Sequence, residues 1–160
     1  MSSLNTCKTL TMTKIGAICI LLFSLNACTA AQRSVRLDAQ DRSDLAENAE
    51  LYWRALRWAD LPAAASYFAD SGVRMTWLNE AQSPNAPRYR TAQVLQVDTS
   101  PRHEPDDRGS VREGAVFTQV EYYQMPSQVL VQELVPQHWY QTEFGWFIVP
   151  EPEQDQPLHQ

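Results

Sequence analysis

One stretch decides the fold: Gln128-Val-Leu-Val-Gln-Glu-Leu-Val-Pro-Gln-His-Trp-Tyr-Gln-Thr-Glu-Phe-Gly-Trp-Phe-Ile-Val149. It is rich in β-branched and aromatic residues, which are the residue types enriched in strands. We expect a strand over residues 128–140, a turn at Glu143-Phe-Gly145 and a last strand over residues 146–149. Proline cannot donate a ladder hydrogen bond, so Pro136 predicts a bulge or a sheet edge within the long strand.

Two further strands are predicted before this stretch. Residues 115–123 are rich in Val, Tyr and Phe, and Met125-Pro-Ser127 would join them to the long strand as a hairpin. Residues 89–98 alternate partly between apolar and polar side chains, and a charged, proline-bearing loop follows over residues 101–109. The sequence therefore predicts four strands in antiparallel hairpins.

The region before these strands has helical periodicity. A first helix is expected to begin at Asp41 or Ser43, either of which is a suitable N-cap, and to end near Ala59. Its apolar residues recur at helical spacing: Leu45, Ala49, Tyr52, Trp53 and Leu56.

Asp60-Leu-Pro62 is expected to start a second helix over residues 63–69, which Asp70-Ser-Gly72 would end. Residues 73–78 suit either a strand or a helical turn. Helices followed by an antiparallel meander indicate an α+β fold, with the helices on one face of the sheet.

The N-terminal region has the features of an export signal. Lys14 precedes an apolar run over residues 15–25, and Leu25-Asn-Ala-Cys28 follows. A positive charge, a short apolar run and a small residue before the cleavage point are typical of a secretory signal peptide. The run is shorter than the roughly 20 apolar residues of a membrane span.

The motif Leu25-Asn-Ala-Cys28 also resembles the lipobox of bacterial lipoproteins. The resemblance implies that Cys28 is acylated, becomes the first residue of the mature chain and attaches it to a membrane through acyl chains. The alternative is an ordinary cleaved signal that leaves Cys28 as a free thiol. The start codon is open between Met1 and Met12.

Domain organisation and charge follow from this processing. We expect a signal peptide over residues 1–27, a polar tether over 28–40, one folded domain over 41–150 and a disordered acidic tail over 151–160. Residues 28–160 carry eleven arginines against nineteen acidic residues, a net charge of −8. Such a surface has no general attraction for nucleic acid. Of the three cysteines, Cys7 and Cys19 would be removed with the signal peptide and Cys28 would be acylated. The domain is therefore expected to fold without disulfides.

Two segments resemble nuclear-transport-factor-2-like domains. Ala49-Glu-Leu-Tyr-Trp-Arg-Ala-Leu-Arg-Trp-Ala-Asp60, with residues 63–68 after it, resembles the helical start of these domains. His138-Trp-Tyr-Gln-Thr-Glu-Phe-Gly-Trp-Phe-Ile148 is similar to their final hairpin. The resemblance implies a curved antiparallel sheet wrapped around N-terminal helices as a cone with a pocket. This superfamily includes isomerases, dehydratases, cyclases and many non-catalytic binding domains, so the fold alone does not choose a function.

Side chains alternate between the two faces of a sheet, and the length of each hairpin turn fixes which residues of neighbouring strands share a face. One face receives Trp139, Trp146 and Ile148, with 129, 131, 133 and 135 on the same strand as Trp139 and 116, 118, 120 and 122 on its neighbour. We assign this face to the core and pocket. The candidate pocket residues are Tyr52, Tyr67, Trp77, Tyr122, Glu133, Trp139 and Trp146.

Glu133 is the sharpest acid candidate, because a carboxylate on an apolar face would have a raised pKa. The alternative is a Glu133 that lies near the strand end or pairs with an arginine. Asp70 and Asp98 suit capping and turn roles or a pocket mouth.

Metal and cofactor sites are not predicted. His103 and His159 lie in loop and tail, only His138 is on a strand, and no zinc-ligand spacing occurs. With five glycines in the chain there is also no phosphate-binding loop.

The outer sheet face completes the functional expectation. Its residues Leu130, Leu134, Tyr140 and Phe147 are too apolar for a bare solvent face, which indicates a homodimer or a protein partner there. We expect a periplasm-facing lipoprotein, anchored in the outer rather than the inner membrane, with a non-catalytic binding or protein-interaction module. The alternatives are a small acid/base enzyme of isomerase or dehydratase type and an accessory subunit of an envelope assembly.

Overall fold

The computed structural model describes residues 12–150, with side chains from residue 34 onward. Three predicted features lie outside the described residues: the first part of the signal peptide, the Cys28 side chain that would be acylated and the acidic tail over residues 151–160 with His159. The chain divides into two units between Ala39 and Gln40, and the core described below belongs to the second. None of the helices within residues 12–150 has both the length and the apolarity to span a bilayer.

The chain is α+β, as predicted. Three helices come first: α1 (Met12–Arg57), α2 (Leu61–Ala65) and α3 (Ser71–Ala81). Four strands follow: β1 (Arg88–Thr99), β2 (Arg112–Gln124), β3 (Val129–Thr142) and β4 (Gly145–Ile148). The strands form one open antiparallel sheet in the order β1-β2-β3-β4, so every connection within it is a hairpin or a longer loop between neighbours.

Helix α1 is much longer than the sequence predicted. It begins at Met12, so the predicted polar tether over residues 28–40 is helical, and Asp41 lies inside the helix instead of capping it. The prediction relied on the scarcity of large apolar residues there. It was wrong because residues 28–40 contain no glycine or proline and are rich in alanine, glutamine and arginine, which are good helix formers.

The two short helices begin at aspartate caps. Asp60 accepts a hydrogen bond from the Ala63 N–H at 3.2 Å, and Asp70 accepts one from the Val73 N–H at 2.9 Å. Asp70 therefore starts α3 instead of ending α2, and Gly72 lies within α3 and not at a helix C-terminus. The ambiguous residues 73–78 are helical, because this cap satisfies an N–H at the start of their first turn.

The faces of the long hairpin are as predicted. Val116, Thr118 and Val120 are fully buried and lie opposite residues 137, 135 and 133 of β3 without a register break. The predicted bulge at Pro136 is absent, whereas the predicted edge is present. Strand β4 pairs only with residues 139–142, so the missing N–H of Pro136 faces an unpaired edge. The register breaks of this sheet lie in β1, between Tyr89 and Thr91 and between Val94 and Gln96.

The core lies between α1 and the buried face of the sheet. Leu45 and Ala49 of α1 are fully buried in one cluster with Val116, Val120 and Trp139. A methyl group at position 114 would collide with Leu45 Cδ2 and come within 3.2 Å of Trp146 Cζ3. Gly114 therefore allows the helix to pack closely on β2.

The outer face is covered at one end only. Tyr140 is 9% exposed, and the Arg108 guanidinium lies 5.0 Å from its ring centroid. Asp106 and Glu113 hold this arginine at 3.1 and 3.2 Å. At the other end, Leu130 and Leu134 remain 47% and 54% exposed. The predicted apolar outer patch is thus restricted to the β2–β3 hairpin end, because the loop before β2 covers Tyr140.

Candidate functional site

The central residue of the candidate site is Tyr52, on the buried face of α1. Its ring makes edge-on contacts with Trp53, Tyr67 and Trp139, at centroid distances of 5.4, 5.8 and 6.2 Å. It also lies 6.5 Å from the ring of Trp77 on α3. Aromatic pairs in this distance range are attractive beyond their buried area. The cluster therefore fixes the position of Tyr52 between the helices and the sheet.

Two adjoining cavities open beside this cluster. The larger, of about 710 Å³, lies between α1, α3, residues 135–138 in the middle of β3 and the end of β4. The smaller, of about 270 Å³, lies between α1, α3 and the start of β1. Four of the lining residues are common to both cavities: Tyr52, Trp77, Glu80 and Tyr89. We refer to the two cavities together as the aromatic groove.

Side-chain and backbone hydrogen bonds hold the walls of the groove. Trp53 Nε1 donates to Gln137 Oε1 at 3.0 Å and so attaches α1 to β3. The backbone N–H of Ile148 donates to the Tyr67 carbonyl at 2.8 Å, which attaches the end of β4 to the segment after α2. The groove is therefore built on elements that are connected to one another, which favours a preformed site.

The groove tyrosines have weakly acidic hydroxyls. Burial, with a smaller contribution from Tyr89, raises the pKa of Tyr52 far above its ordinary value. Burial, with smaller contributions from Tyr122 and Glu133, raises the pKa of Tyr89 to about 12. Both hydroxyls are therefore protonated at neutral pH and available as hydrogen-bond donors. No described residue forms a hydrogen bond with the Tyr52 hydroxyl, although Tyr52 is only 6% exposed.

Few charged or titratable side chains line the groove. The larger cavity has Glu80 and His138, and the smaller cavity has Glu80, Arg57 and Arg88. Arg57 also donates from Nε to the Arg90 carbonyl at 3.1 Å. Tyrosine, tryptophan and aliphatic side chains make up most of the walls, which is typical of sites for small, mainly apolar molecules.

The structure brings together only some of the residues predicted for the pocket. Tyr52 and Trp77 line the groove. Trp139 and Trp146 are 1% and 4% exposed and belong to the filled core. Tyr67 borders a separate cavity of about 400 Å³ between α1 and α2. The core is thus filled by the two tryptophans, and the open space lies beside it.

The predicted acid, Glu133, is not buried. It lies exposed on β3 and accepts a hydrogen bond from the Tyr122 hydroxyl at 2.9 Å. This hydrogen bond and, to a smaller extent, burial raise the pKa of Tyr122. The alternation of side chains along the strand placed Glu133 on the correct face of the sheet. It did not show that α1 and α3 leave this end of the sheet uncovered.

The other ionisable candidates have structural roles or lie apart. Asp60 and Asp70 are N-caps, and Asp98 accepts a hydrogen bond from Gln96. His103 lies in the exposed loop before β2. Among the side chains described, those of residues 34–150, no three His, Cys, Asp or Glu are close enough to hold a metal ion.

Sequence reasoning missed two groups of residues. Glu80 and Tyr89 line the groove, and helical continuation of residues 73–78 would have placed Glu80 one turn after Trp77. The second group is an ionic cluster centred on Asp41, whose partners Arg102 and Gln141 are 61 and 100 residues away in the sequence. No spacing rule connects residues at such separations.

Comparison with known proteins gives no match. No protein-family model matches the chain, and no curated protein or solved structure is significantly similar to it. The geometry of the groove and the N-terminal motif therefore carry the functional proposals.

Proposed function

We propose that this chain is a lipid-anchored protein of the bacterial cell envelope, and that its folded domain is a non-catalytic module that binds a small, mainly apolar molecule in the aromatic groove. The proposal includes a nuclear-transport-factor-2-like fold for residues 41–150. Helices before a four-stranded antiparallel meander support it, as does the close packing of α1 on the sheet.

The Tyr52 hydroxyl carries the binding proposal. Tyr52 is 6% exposed and lines both cavities. Its hydroxyl has no hydrogen-bond partner among the described residues. The Tyr52 oxygen is not among the fully buried polar atoms that lack a partner, so it faces the open space of the groove, from which it can donate a hydrogen bond. A bound molecule with one hydrogen-bond acceptor would satisfy it, and the aromatic walls would bury the apolar remainder. The larger cavity is within the range of about 300–1,000 Å³ that is usual for such sites.

Binding is favoured over acid/base catalysis by the placement of the carboxylates. The acid candidate Glu133 does not line the groove, and Asp70 is held as a helix cap. Glu80 is the one carboxylate that lines either cavity within residues 34–150. His138 lines the larger cavity as well, but it is exposed, and no hydrogen bond or ion pair joins it to Glu80 among the described residues. A mainly aromatic wall without a connected acid/base pair suits recognition of an apolar molecule better than proton transfer.

Binding is tested by titrating residues 40–160 with anilinonaphthalene sulfonate, a fluorescent apolar probe. Trp77→Ala removes a groove wall and is expected to weaken binding about tenfold, which corresponds to about 1.4 kcal/mol. The matched control is Trp58→Ala, which removes a tryptophan that is 75% exposed and lies outside the groove. Tyr52→Phe keeps the ring and removes only the hydroxyl. An equal loss in Trp58→Ala and Trp77→Ala would refute the groove as the binding site.

The anchor is tested by metabolic labelling of the full chain with a palmitate analogue. Cys28→Ala is expected to abolish labelling and to release the protein from the membrane fraction. Cys19→Ala changes a cysteine within the apolar run and is expected to leave labelling intact. Labelling that survives in Cys28→Ala would contradict lipidation at this position.

A further inference from the structure

Strand β3 has an edge without a partner strand in the described structure. Strand β4 pairs only with residues 139–142, and the Val149 N–H donates to the His138 carbonyl at 2.9 Å. The backbone groups of His138 therefore point away from β2. Backbone groups alternate in direction along a strand. The N–H and C=O groups of Leu130, Gln132 and Leu134 consequently also point away from β2, toward solvent.

The part of this edge before Pro136, over residues 130–134, has no bulge, no proline and no paired strand. Proteins protect sheet edges with bulges, charged side chains, prolines or covering segments. The opposite edge, β1, has two register breaks and carries Arg90. In contrast, residues 129–135 of β3 keep one continuous register with β2, and Leu130 and Leu134 on this edge are about half exposed.

We propose that this edge pairs with the same edge of a second copy of the chain, antiparallel and with a two-fold axis at Gln132. Leu130 then lies opposite the partner's Leu134, and Gln132 lies opposite the partner's Gln132. All outward backbone groups of Leu130, Gln132 and Leu134 are paired in this register, which gives about six hydrogen bonds.

Both ends of the edge select this register. Pro136 has no N–H, so a register that places it opposite a residue of the partner loses a hydrogen bond. At the other end, Gln128 has φ of 56° and belongs to the hairpin turn, not to the strand. A shift of the axis to Leu130 or to Leu134 would place these residues within the ladder, and fewer bonds would form.

The side chains are compatible with the same axis. On the outer face, Leu130 and the partner's Leu134 form an apolar cross-strand pair on each side of the axis. On the other face, Glu133 lies opposite the partner's Val131, so the two carboxylates are not directly opposed. Apolar pairs stabilise a ladder, whereas directly opposed like charges destabilise it.

A strand pair of this length buries less than the roughly 1,200 Å² of a stable interface. The pairing therefore rests on the proposed lipid anchor for its strength, because attachment to one membrane raises the effective concentration of the second copy. It does not depend on a ligand in the groove.

The pairing is tested by disulfide cross-linking of the full chain in native membranes. Opposed hydrogen-bonded residues have Cα atoms about 5.5 Å apart, which a disulfide can bridge. Gln132→Cys is expected to give a covalent dimer on mild oxidation. Gln93→Cys places an exposed cysteine on the opposite edge strand and is expected to match the wild-type background. Equal cross-linking of both variants, or of neither, would overturn the proposal.

A second experiment removes the pairing without a new cysteine. Two differently tagged copies are expressed together, and capture of one through the other is measured. Gln132→Pro removes an outward N–H and is expected to reduce capture about tenfold or more, whereas Gln132→Ala retains it. Pro136 shows that this edge accommodates proline. Unchanged capture in Gln132→Pro, with an unaltered circular dichroism spectrum, would overturn the proposal. Palmitate labelling of the same membranes reports separately on the anchor.

Discussion

Arg102 donates hydrogen bonds to both carboxylate oxygens of Asp41, from Nη2 to Oδ1 at 3.0 Å and from Nε to Oδ2 at 3.1 Å. Gln141 Nε2 donates to the same carboxylate at 3.3 Å, and Arg112 Nη1 lies 3.1 Å from it. Asp41 is 5% exposed and Arg112 is 2% exposed. One buried carboxylate therefore joins α1 to the loop before β2 and to the paired ends of β2 and β3.

We predict that Asp41→Asn strongly destabilises the domain. The substitution removes the negative charge that lies 3.1 Å from the buried Arg112 guanidinium, and removing one charge of a buried ion pair costs about 3–5 kcal/mol. The measurement is urea unfolding followed by tryptophan fluorescence. Glu47→Gln, at an exposed position of the same helix, is the control and should stay within about 0.5 kcal/mol of the wild type. A loss of similar size in both variants would mean that the Asp41 cluster has no special role.

Gly114→Ala is expected to destabilise the domain by about 1–3 kcal/mol through overpacking. The new methyl group meets Leu45 Cδ2, and Leu45 is fully buried, so its side chain can shift only by displacing other core residues. The measurement is a double-mutant cycle with Leu45→Ala, which itself costs about 2–5 kcal/mol. Because the smaller side chain gives the methyl group room, the double variant should lose less stability than the two single losses together. Strict additivity would contradict a contact between these positions.

Stability is expected to fall at alkaline pH because of the groove tyrosines. The pKa of Tyr89 is about 12 in the folded state against an ordinary value of 10.0, so the folded state holds the proton more tightly. The resulting stabilisation is fully present below pH 10 and is lost as the pH rises to about 12, with a size of roughly 2–3 kcal/mol. Tyr89→Phe should reduce this fall in the unfolding free energy. Tyr123→Phe, which removes an exposed tyrosine, should not change it.

Asp70→Ala is expected to cost about 1 kcal/mol, because the Val73 N–H loses its cap. Asp70→Ser keeps a hydroxyl acceptor at the cap and should recover most of the loss. Thermal unfolding monitored by circular dichroism compares the three proteins. If serine is no better than alanine, the role of Asp70 in α3 is not that of a cap.

The parts of the fold that depend on local pattern were predictable from the sequence. Alternation along β2 and β3 gave the buried face with Val116, Thr118 and Val120, and the residue type of Asp60 gave its cap. Features that depend on neighbours distant in the sequence were not. Glu133 lies on the predicted face, yet whether that end of the sheet is covered depends on where α1 and α3 pass over it.

The candidate site was predictable only in part for the same reason. Tyr52 and Trp77 were selected from their residue type, and both line the groove. Trp139 and Trp146 were selected on the same grounds, but they are buried in the core. Residue type alone does not distinguish an aromatic side chain that lines a pocket from one that fills the core. The Asp41 cluster assembles from four segments, and no pair of its residues has a diagnostic spacing.

The packing of α1 on β2 gives a pattern by which related chains can be sought. Four residues along a helix advance about 6 Å, nearly the same as two residues along a strand. Asp41 contacts Arg112, and four residues later Leu45 fits against Gly114, two residues further along β2. An Asp-x-x-x-Leu motif on a helix before an Arg-x-Gly motif on a strand is therefore a paired signature. A search for both motifs at once can find chains with this helix–strand contact even where the loops and surface have diverged completely.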